Sequence, residues 1–304
     1  MCLENKLIAI AGANNILKNE PMYKHTTYKI GGPADYFVTP VDAAALKETI
    51  VFCRKKGLPF YIIGNGSNLL VGDGGFRGVV IQIFNHFGEV KAKGTSMDIR
   101  AGALLSKVAN IALREELQGF EFASGIPGTF GGAVVMNAGA YGGEMKDILK
   151  SVEILDDTGQ IKTLSAEVLE LGYRSSIFAR KPYVILGGTI QLKKGNKEAI
   201  LDLMEDLKMQ RTTKQPLEFP SAGSTFKRPK GYFVGKLVAD SGLRGFQVGD
   251  AQVSEKHCGF VINKGQATAA DVVSLMDHVI EKIEKDYQVR LEPEVKRIGE
   301  FIFR

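Results

Sequence analysis

Short runs of apolar, largely β-branched residues recur along the chain and predict β-strands. The predicted strands cover residues 60–63, 79–84, 97–101, 152–155, 161–164 and 183–192. The segment Asp156-Asp157-Thr158-Gly159 joins two of these runs and has the composition of a tight turn. It therefore predicts that strands 152–155 and 161–164 form an antiparallel hairpin.

Three other segments place apolar residues at helical spacing and predict half-buried helices. The first covers residues 104–112, and the second begins after Asn196 as its N-cap and carries apolar residues at positions 200, 203 and 207. The third begins at Thr268, whose spacing from Asp271 predicts a capping box. Hairpins mixed with helices, without strict alternation, predict an α+β fold. Pro216 and Pro220 end the second helix, so a domain boundary is expected between residues 195 and 215.

Composition and charge narrow the class of protein. The chain has 304 residues, 44% of them hydrophobic, and mean hydropathy is −0.02, which is ordinary for a globular chain. No apolar run approaches the roughly 20 residues of a membrane span, and Glu4 and Asn5 stand where a secretory signal would be basic. The net charge of +5 permits an anionic ligand but is too dispersed to indicate nucleic acid. We therefore expect a protein that neither inserts into membranes nor binds nucleic acid.

The three cysteines and four histidines carry no recognisable metal pattern. The cysteines are widely spaced without a CxxC pair, so neither a disulfide framework nor a thiolate zinc site is predicted. A reducing cytoplasm fits this cysteine usage best, and we expect no metal.

Glycine is unusually frequent: the chain has 35 glycines among 304 residues, which is about 12%, whereas the average in proteins is about 7%. One cluster, Gly64-Asn65-Gly66-Ser67-Asn68-Leu69-Leu70, follows the first predicted strand. Its backbone amides could converge on an anion. It lacks the third glycine of the dinucleotide-binding GxGxxG fingerprint, and no Walker sequence occurs in the chain. The alternative reading is a tight turn between strands.

A second cluster covers residues 123–133 and has glycines at 125, 128, 131 and 132 around Pro127, a residue type suited to a helix start. Unshielded amides at the positive end of a helix would suit a pyrophosphate. The alternative is close packing of a helix on a sheet through its glycines. Two such loops suggest one large ligand with a diphosphate and an adenosine arm.

The sequences GNGSNLLVGDGGFRGVVI (64–81) and SGIPGTFGGAVVMNAGAYGGE (124–144) resemble the flavin-binding half of the UDP-N-acetylenolpyruvoylglucosamine reductase family. Five further segments resemble that family in the same order: TTYKIGGPADY, LGYRSSIF, SAGSTFKRP, VSEKHCGFVIN and LEPEVKRIG. The resemblance implies a two-part FAD-binding region of the vanillyl-alcohol-oxidase type, at residues 1–82 and 83–208. It also implies an α+β substrate-binding domain at residues 209–304.

The cofactors implied by the resemblance are FAD and NADPH. FAD would be held noncovalently, since neither glycine cluster contains a histidine or cysteine, and NADPH would alternate with substrate in one cleft. The FAD-binding residues implied are Gly64, Asn65, Gly66, Ser67, Asn68, Leu69, Ser124, Gly125, Pro127, Gly128, Thr129, Gly132, Ala133 and Arg211.

The reaction implied is reduction of UDP-N-acetylglucosamine enolpyruvate to UDP-N-acetylmuramate. By the family motifs, Arg174 polarises the substrate carboxylate, Ser224 donates a proton to the developing carbanion, and Glu294 faces the enolate. A serine hydroxyl is a weak acid, so its alkoxide needs a stabilising partner, for which Lys227 and Arg228 are candidates. Burial beside the substrate carboxylate would favour the protonated form of Glu294, which is a hypothesis at this point.

Three further residues are assigned to the substrate by the same resemblance: Tyr173, Lys214 and Arg228. The 39 residues between Arg174 and Lys214 match the shorter class of the family, without an inserted tyrosine loop. The alternatives are a flavin-dependent oxidase of the same fold superfamily and a flavoprotein that has lost catalysis. A monomer is expected.

Overall fold

The computed structural model describes residues 3–303. The α-helices are α1 (Leu3–Ala11), α2 (Ala43–Lys56), α3 (Leu105–Arg114), α4 (Phe130–Val135), α5 (Lys197–Lys214), α6 (Val234–Asp240) and α7 (Ala269–Tyr287). The strands are β1 (Ile16–Pro21), β2 (Pro33–Val38), β3 (Phe60–Ile63), β4 (Leu69–Val71), β5 (Phe76–Gln82), β6 (Val90–Lys93), β7 (Ser96–Arg100), β8 (Leu117–Gln118), β9 (Gly139–Ala140), β10 (Gly143–Glu144), β11 (Leu149–Leu155), β12 (Ile161–Ser165), β13 (Val184–Gln191), β14 (Lys193–Lys194), β15 (Gln247–Val248), β16 (Ala251–Val253), β17 (Val261–Asn263) and β18 (Lys296–Ile298). Seven short 3₁₀ turns complete the described secondary structure: Ala13–Asn15, Met22–His25, Asn85–Phe87, Glu121–Ala123, Met145–Asp147, Ala166–Leu169 and Ile177–Ala179.

The chain forms two compact units, each assembled from separate segments. Unit 1 contains residues 3–17, 37–65 and 79–211, and unit 2 contains residues 18–36, 66–78 and 212–303. The chain passes from one unit to the other inside β1, β2 and β5, between Asn65 and Gly66, and near the end of α5. The expected domains at 1–82, 83–208 and 209–304 are continuous segments, whereas these units are not. Those domain limits stay a prediction.

Unit 1 is built on a five-stranded antiparallel sheet in the order β12-β11-β13-β7-β6. The predicted hairpin is confirmed, with Leu155 of β11 opposite Ile161 of β12. Its turn is held by Asp156, whose Oδ1 accepts hydrogen bonds from the amides of Thr158 and Gln160 at 2.9 and 2.8 Å. A second element of this unit pairs β3 with β5 in parallel, which places the end of β3 beside Gln82.

Unit 1 also contains α2, which the helix analysis above missed. Asp42 caps its first turn by accepting a 2.8 Å hydrogen bond from the Ala45 amide, and Gly57 ends it in the left-handed region at φ +62°. Its buried stripe includes the polar Thr49, which interrupts the apolar pattern, and the Thr49 hydroxyl donates to the Ala45 carbonyl. The signals that could have found this helix are the cap residues Asp42 and Gly57.

The second predicted helix corresponds to α5, and its start and end agree with the sequence analysis. Asn196 accepts a hydrogen bond from the Ala199 amide at 2.9 Å, and the helix ends at Lys214, before Pro216. Ile200 and Leu207 are buried, but Leu203 is 46% exposed, so its assignment to the apolar face is wrong. Its side chain points away from the packed side of the helix.

Unit 2 packs α7 and α6 around the sheet β15-β16-β17. The predicted capping box of α7 is present, since Thr268 Oγ1 accepts from the Asp271 amide and Asp271 returns the bond to the Thr268 amide. Asp73 adds a second cap by accepting from the amides of Ala269 and Ala270 at 2.8 and 3.0 Å. In the same unit, β4 pairs in parallel with β18.

The mixture of antiparallel sheets, the parallel pairs β3–β5 and β4–β18 and separate helices confirms the α+β class. Within residues 3–303, no helix has both the length and the apolar character to cross a bilayer.

Candidate functional site

The two glycine-rich loops meet within unit 1. Asn65 donates a 2.7 Å hydrogen bond from Nδ2 to the carbonyl of Pro127. A Cβ on Gly64 would lie 2.2 Å from Thr129 Oγ1, so a larger residue there would displace the Thr129 side chain. Gln82 holds the first loop by donating from Nε2 to the Gly64 carbonyl at 3.0 Å. The structure therefore brings residues 64–65 and 127–129 together, although 61 residues lie between Asn65 and Pro127 along the chain.

The second loop is tied to the turn that precedes α3. The amides of Phe130 and Gly131 donate to the carbonyls of Ala103 and Ala101, both at 2.8 Å. A side chain at position 131 would be crowded, because a Cβ there would lie 3.0 Å from the Ala101 Cβ. Gly132 and Ala133 lie in α4, which begins at Phe130. These contacts support the alternative of close glycine packing for part of the cluster.

Pro127 does not open a helix. It precedes α4 by three residues, and the Gly128 amide donates to the Ile126 carbonyl at 2.9 Å, which closes a separate tight turn. The N-cap of the helix is Thr129, without a side-chain capping bond. A helix of six residues has a weak dipole, so anion binding in this loop depends on its individual amides.

Several amides of the two loops are available to a ligand. In the described part of unit 1, the backbone N–H groups of Asn65, Gly125 and Thr129 donate to no protein acceptor. Among the described residues of unit 2, the same holds for Gly66 and Ser67. Unshielded amides in succession are the donors that phosphate oxygens bind. The three amides of unit 1 therefore suit an anionic ligand.

Arg211 lies against the second loop, with its Cδ 3.2 Å and its Nη1 3.7 Å from the Cβ that Gly125 lacks. The side chain is half-buried in α5, and this burial lowers the pKa of the guanidinium below its usual value. Arginine stays protonated under such conditions. Within residues 3–303 no carboxylate forms an ion pair with Arg211, so its positive charge is available to an anion near Gly125. Ser124 precedes this glycine, and its amide closes a 3₁₀ turn on the Glu121 carbonyl.

Arg174 and Tyr173 occupy the tip of a tight turn at residues 172–175, also in unit 1. Gly172 and Ser175 exchange two backbone hydrogen bonds of 3.1 and 3.2 Å, and Arg174 is in the left-handed region at φ +51°. The Arg174 guanidinium donates to the Gly139 carbonyl at 3.3 Å and lies 5.2 Å from the centre of the Tyr173 ring. The family motif thus forms a turn whose tip carries a half-buried cation and an exposed aromatic ring.

Asn137 connects this turn to the segment that contains β9 and β10, and the sequence analysis assigned it no role. Its Nδ2 donates to the Gly172 carbonyl at 3.0 Å and to Glu144 Oε2 at 2.6 Å, and its Oδ1 accepts from the Lys146 amide at 2.9 Å. Asn137 and Glu144 lie inside the motif MNAGAYGGE, which was used only for the resemblance.

Ser224 belongs to unit 2 and is exposed, directly after Gly223, which adopts φ +77°. The next residue, Thr225, is buried and well anchored. Its amide donates to the Gly259 carbonyl at 2.9 Å, and its Oγ1 accepts from the Val261 amide at 2.8 Å. The structure therefore presents the Ser224 hydroxyl on a loop whose following residue is fixed in the core of the unit.

The segment that contains Glu294 runs antiparallel to the segment that contains Ser224. The Glu294 amide donates to the Thr225 carbonyl at 2.9 Å, and its own carbonyl accepts from Asn68 Nδ2 at 3.2 Å. Phe226 pairs with Pro293 as an isolated bridge in the same register. Glu294 and the predicted FAD-binding residue Asn68 thus share one hydrogen-bond network in unit 2 with Thr225, the residue after Ser224.

Lys227 belongs to the same antiparallel pairing, because its amide donates to the Glu292 carbonyl at 2.8 Å. Lys214 is exposed at the end of α5. Arg228 lies 3.8 Å from the centre of the Phe233 ring and donates to the Tyr232 carbonyl at 3.1 Å. Lys227 pairs with Glu292 at 2.5 Å, so its charge is directed to that carboxylate.

Gly66, Ser67 and Leu69 continue the first glycine loop inside unit 2. A Cβ on Gly66 would meet the His25 carbonyl oxygen at 2.0 Å, so this position needs glycine. Leu69 begins β4 and is buried. Among residues 3–303, no group of histidine, cysteine and acidic side chains is arranged to hold a metal ion.

Comparison with known proteins identifies two matching family models. The model described as UDP-N-acetylenolpyruvoylglucosamine reductase, C-terminal domain, matches residues 215–298. A model described as FAD binding domain matches residues 34–165.

Similar proteins match over nearly the whole chain. A protein of Clostridium perfringens strain SM101, named UDP-N-acetylenolpyruvoylglucosamine reductase, is 52% identical over 94% of this chain and 93% of its own. A protein of Clostridium botulinum strain Langeland with the same name is 50% identical over 96% of this chain and 95% of its own. The crystal structure of UDP-N-acetylenolpyruvylglucosamine reductase from Thermus caldophilus superposes with a TM-score of 0.80 at 36% identity, covering 93% of this chain and 98% of that one.

Proposed function

This chain belongs to the UDP-N-acetylenolpyruvoylglucosamine reductase family, and on that premise we propose that it converts UDP-N-acetylglucosamine enolpyruvate to UDP-N-acetylmuramate. It is a flavin-dependent oxidoreductase that uses FAD and NADPH. The observation that carries the proposal is the 52% identity over 94% of the chain, with Arg174, Ser224 and Glu294 present in the family motifs.

The residues of the glycine loops fit the anionic diphosphate of FAD. In unit 1, a Cβ at position 64 would collide with Thr129 Oγ1, the amides of residues 65, 125 and 129 donate to no described protein acceptor, and Arg211 adds a positive charge beside Gly125. These residues would hold the cofactor. The chemistry that bound FAD would supply is hydride transfer between NADPH and the substrate. Both glycine clusters lack histidine and cysteine, which supports noncovalent binding.

Arg174 would bind the substrate carboxylate. Hydride addition at the terminal methylene builds negative charge on the carbon next to that carboxylate, so a fixed cation there lowers the barrier. The guanidinium is planar and permanently charged, and it can bind both carboxylate oxygens. Its turn at residues 172–175, closed by two backbone hydrogen bonds, limits the positions that the side chain can reach.

Ser224 would donate the proton that the developing carbanion needs. Its exposure on a loop anchored by Thr225 leaves the hydroxyl accessible. Lys227 and Arg228 are the candidate partners for the resulting alkoxide. In the structure Lys227 pairs with Glu292, and the Arg228 guanidinium lies over the Phe233 ring. Glu294, bonded through its amide to the Thr225 carbonyl, would face the enolate from the neighbouring segment.

Tyr173, Lys214 and Arg228 would contact the UDP part of the substrate. An exposed ring and two cations on long side chains are suited to a nucleotide base and to phosphate oxygens. The expected cytoplasmic location belongs to this proposal, supported by the cysteine usage and by the nature of the nucleotide substrate. The monomeric state stays a prediction.

The test follows NADPH oxidation by the purified, FAD-loaded protein under anaerobic conditions, with and without UDP-N-acetylglucosamine enolpyruvate. We expect substrate-dependent turnover in the wild type. Ser224→Ala should lower it by about 100- to 10,000-fold while flavin reduction by NADPH persists, since only the protonation step needs the hydroxyl. Ser221→Ala, three residues away, is the matched control and should stay near wild type.

Flavin reduction by NADPH without substrate-dependent turnover would contradict the proposed reaction. Oxygen consumption with an alcohol or lactone would then favour the alternative, a flavin-dependent oxidase. Equal turnover of Ser224→Ala and wild type would remove Ser224 from the mechanism and leave the reaction itself intact.

A further inference from the structure

Asn137 is a fully buried polar residue two positions after the end of α4, with an exposed fraction of 0%. Its backbone lies in the left-handed region at φ +42°, which asparagine tolerates better than most residues. All of its side-chain bonds go to unit 1, where it donates twice and accepts once, as described above. A buried amide with this many partners rigidifies the segments that it joins.

The segments joined by Asn137 both touch Arg174. The Gly172 carbonyl, which accepts from Asn137, belongs to the turn whose tip is Arg174. Gly139, whose carbonyl accepts from the Arg174 guanidinium, lies two residues after Asn137. Asn137 therefore sets the distance between the backbone that carries Arg174 and a backbone acceptor that orients its side chain.

A second anchor holds the other end of the same turn. Ser176 is buried, and its Oγ donates to the Val135 carbonyl at 2.7 Å, at the end of α4. The turn at residues 172–175 is thus fastened before and after Arg174 to one short segment, residues 135–137. Arg174 itself is held at φ +51°, a conformation that its own side chain does not favour and that the anchors must maintain.

We propose that Asn137 is a positioning residue for Arg174, acting through its hydrogen bond to the Gly172 carbonyl, so that the guanidinium meets the carboxylate of the substrate. The inference rests on the proposed function, because it takes the enolpyruvyl carboxylate as the ligand of Arg174. Asn137 makes no contact with substrate in this proposal. Its effect should disappear when Arg174 is absent.

The experiment measures carboxylate recognition directly, by calorimetry on the oxidised, FAD-loaded protein. The two ligands are UDP-N-acetylglucosamine enolpyruvate and UDP-N-acetylglucosamine, which lacks the carboxylate. The ratio of their dissociation constants reports recognition of the enolpyruvyl group, and its change in Arg174→Ala reports the Arg174 interaction. We expect wild type to favour the carboxylated ligand by about 10- to 100-fold, the range for a hydrogen bond to a charged group, and Arg174→Ala to abolish the preference.

Asn137→Asp is the decisive variant. An aspartate keeps the size of the side chain, but as a carboxylate it donates to neither Gly172 nor Glu144, and it repels the Glu144 carboxylate. We expect the carboxylate preference to fall about 10-fold or more, because small displacements of a binding group are costly. Affinity for UDP-N-acetylglucosamine and flavin reduction by NADPH should stay within about twofold of wild type.

Two further variants separate positioning from folding. Asn137→Asp combined with Glu144→Gln restores a hydrogen bond between positions 137 and 144 with reversed polarity, which relieves the repulsion but leaves the Gly172 carbonyl without its donor. This pair should fold like wild type and still lose the carboxylate preference. Asn19→Ala is the matched control, since Asn19 is also left-handed, at φ +51°, but is exposed and lies in unit 2.

The double variant Asn137→Asp/Arg174→Ala decides the outcome. If it matches Arg174→Ala alone, the two residues act as one unit and the inference is supported. If the two losses add, or if Asn137→Asp keeps the wild-type preference, Asn137 is not a positioning residue, whereas the proposed function stands. If wild type itself shows neither the preference nor substrate-dependent turnover, the proposed function fails and this inference fails with it.

Discussion

The side-chain amide of Asn68 donates a hydrogen bond of 3.2 Å to the backbone carbonyl of Glu294. The Asn68 carbonyl in turn accepts from the Lys296 amide at 3.0 Å, and the parallel pairing of β4 with β18 begins at the following residues. The first glycine loop is therefore joined to the segment that carries the proposed enolate-facing carboxylate. Asn68 is thus part of the proposed cofactor loop and also holds the backbone of Glu294 by a hydrogen bond.

Asn68→Ala should lower turnover as well as FAD affinity. Without the amide, the Glu294 carbonyl loses a donor, and the segment that positions its carboxylate gains freedom, so we expect kcat to fall about 10-fold or more. The measurement is kcat at saturating FAD, with Asn14→Ala, an exposed asparagine, as the control. Normal kcat once FAD is saturating would mean that Asn68 serves the cofactor alone.

Gly64→Ala should disturb the contact between the two glycine loops. A Cβ placed 2.2 Å from Thr129 Oγ1 forces one loop to move, and overpacking of this kind costs about 1–3 kcal/mol of stability. We expect a lower thermal midpoint and less bound flavin per protein. Adding Thr129→Ala removes the oxygen and leaves a nearest contact of 3.2 Å, so the double variant should recover part of the stability.

The control for this change is Gly235→Ala in α6, where a Cβ would make only ordinary contacts from 3.5 Å outward. Alanine is favoured over glycine inside helices, so this variant should be neutral or slightly stabilised. Flavin content that is unchanged in Gly64→Ala would contradict the assignment of this contact to the cofactor site.

Because of Asp156, the stability of the protein should fall as the pH becomes acidic. Hydrogen bonds from Lys162 and Thr158 hold the pKa of its carboxyl well below the usual 3.8. A lowered pKa in the folded state means that the ionised group stabilises the fold above pH 3.8, and that this contribution is lost as the pH falls below that value. Asp156→Asn should therefore have a lower thermal midpoint than wild type at pH 7, with the difference shrinking below pH 3.8.

Thermal unfolding followed by circular dichroism from pH 7 to pH 3 measures this dependence. Asp157→Asn, at the exposed neighbouring position, is the control and should follow the wild-type curve. A difference between Asp156→Asn and wild type that stays constant over the whole range would show that the turn geometry, rather than the charge, provides the stability.

Glu294→Gln should retain more activity than Glu294→Ala. If Glu294 acts as a hydrogen-bond donor to the enolate, the amide of glutamine can still donate, whereas alanine leaves no donor. The backbone bonds of residue 294 to Thr225 and Asn68 do not involve the side chain, so both variants should keep the segment in place. Steady-state kcat for the two variants is the measurement, and equal losses would argue against the donor role.

Local signals in the sequence determined much of the secondary structure. The run at 60–63 became β3 with the predicted bounds, Asp156 closes the predicted hairpin turn, and Thr268 forms the predicted capping box. These features depend on residues within a few positions of one another, so the pattern contains the information. The same reasoning missed α2, because Thr49 interrupts its buried apolar stripe.

The candidate site depended on the sequence in a different way. Motif resemblance selected Arg174, Ser224 and Glu294, and the identity of the chain's relatives supports the same family. How those residues are held was decided by tertiary structure. Asn68 bonds to Glu294 across 226 positions of the chain, Asn65 to Pro127 across 62, and Asn137 to Gly172 across 35. Such bonds form only when a whole unit has packed, since no local propensity brings their partners together. The sequence by itself therefore determined which chemical groups are present and where short elements begin and end, whereas long-range packing decided which buried amides fix those groups in place.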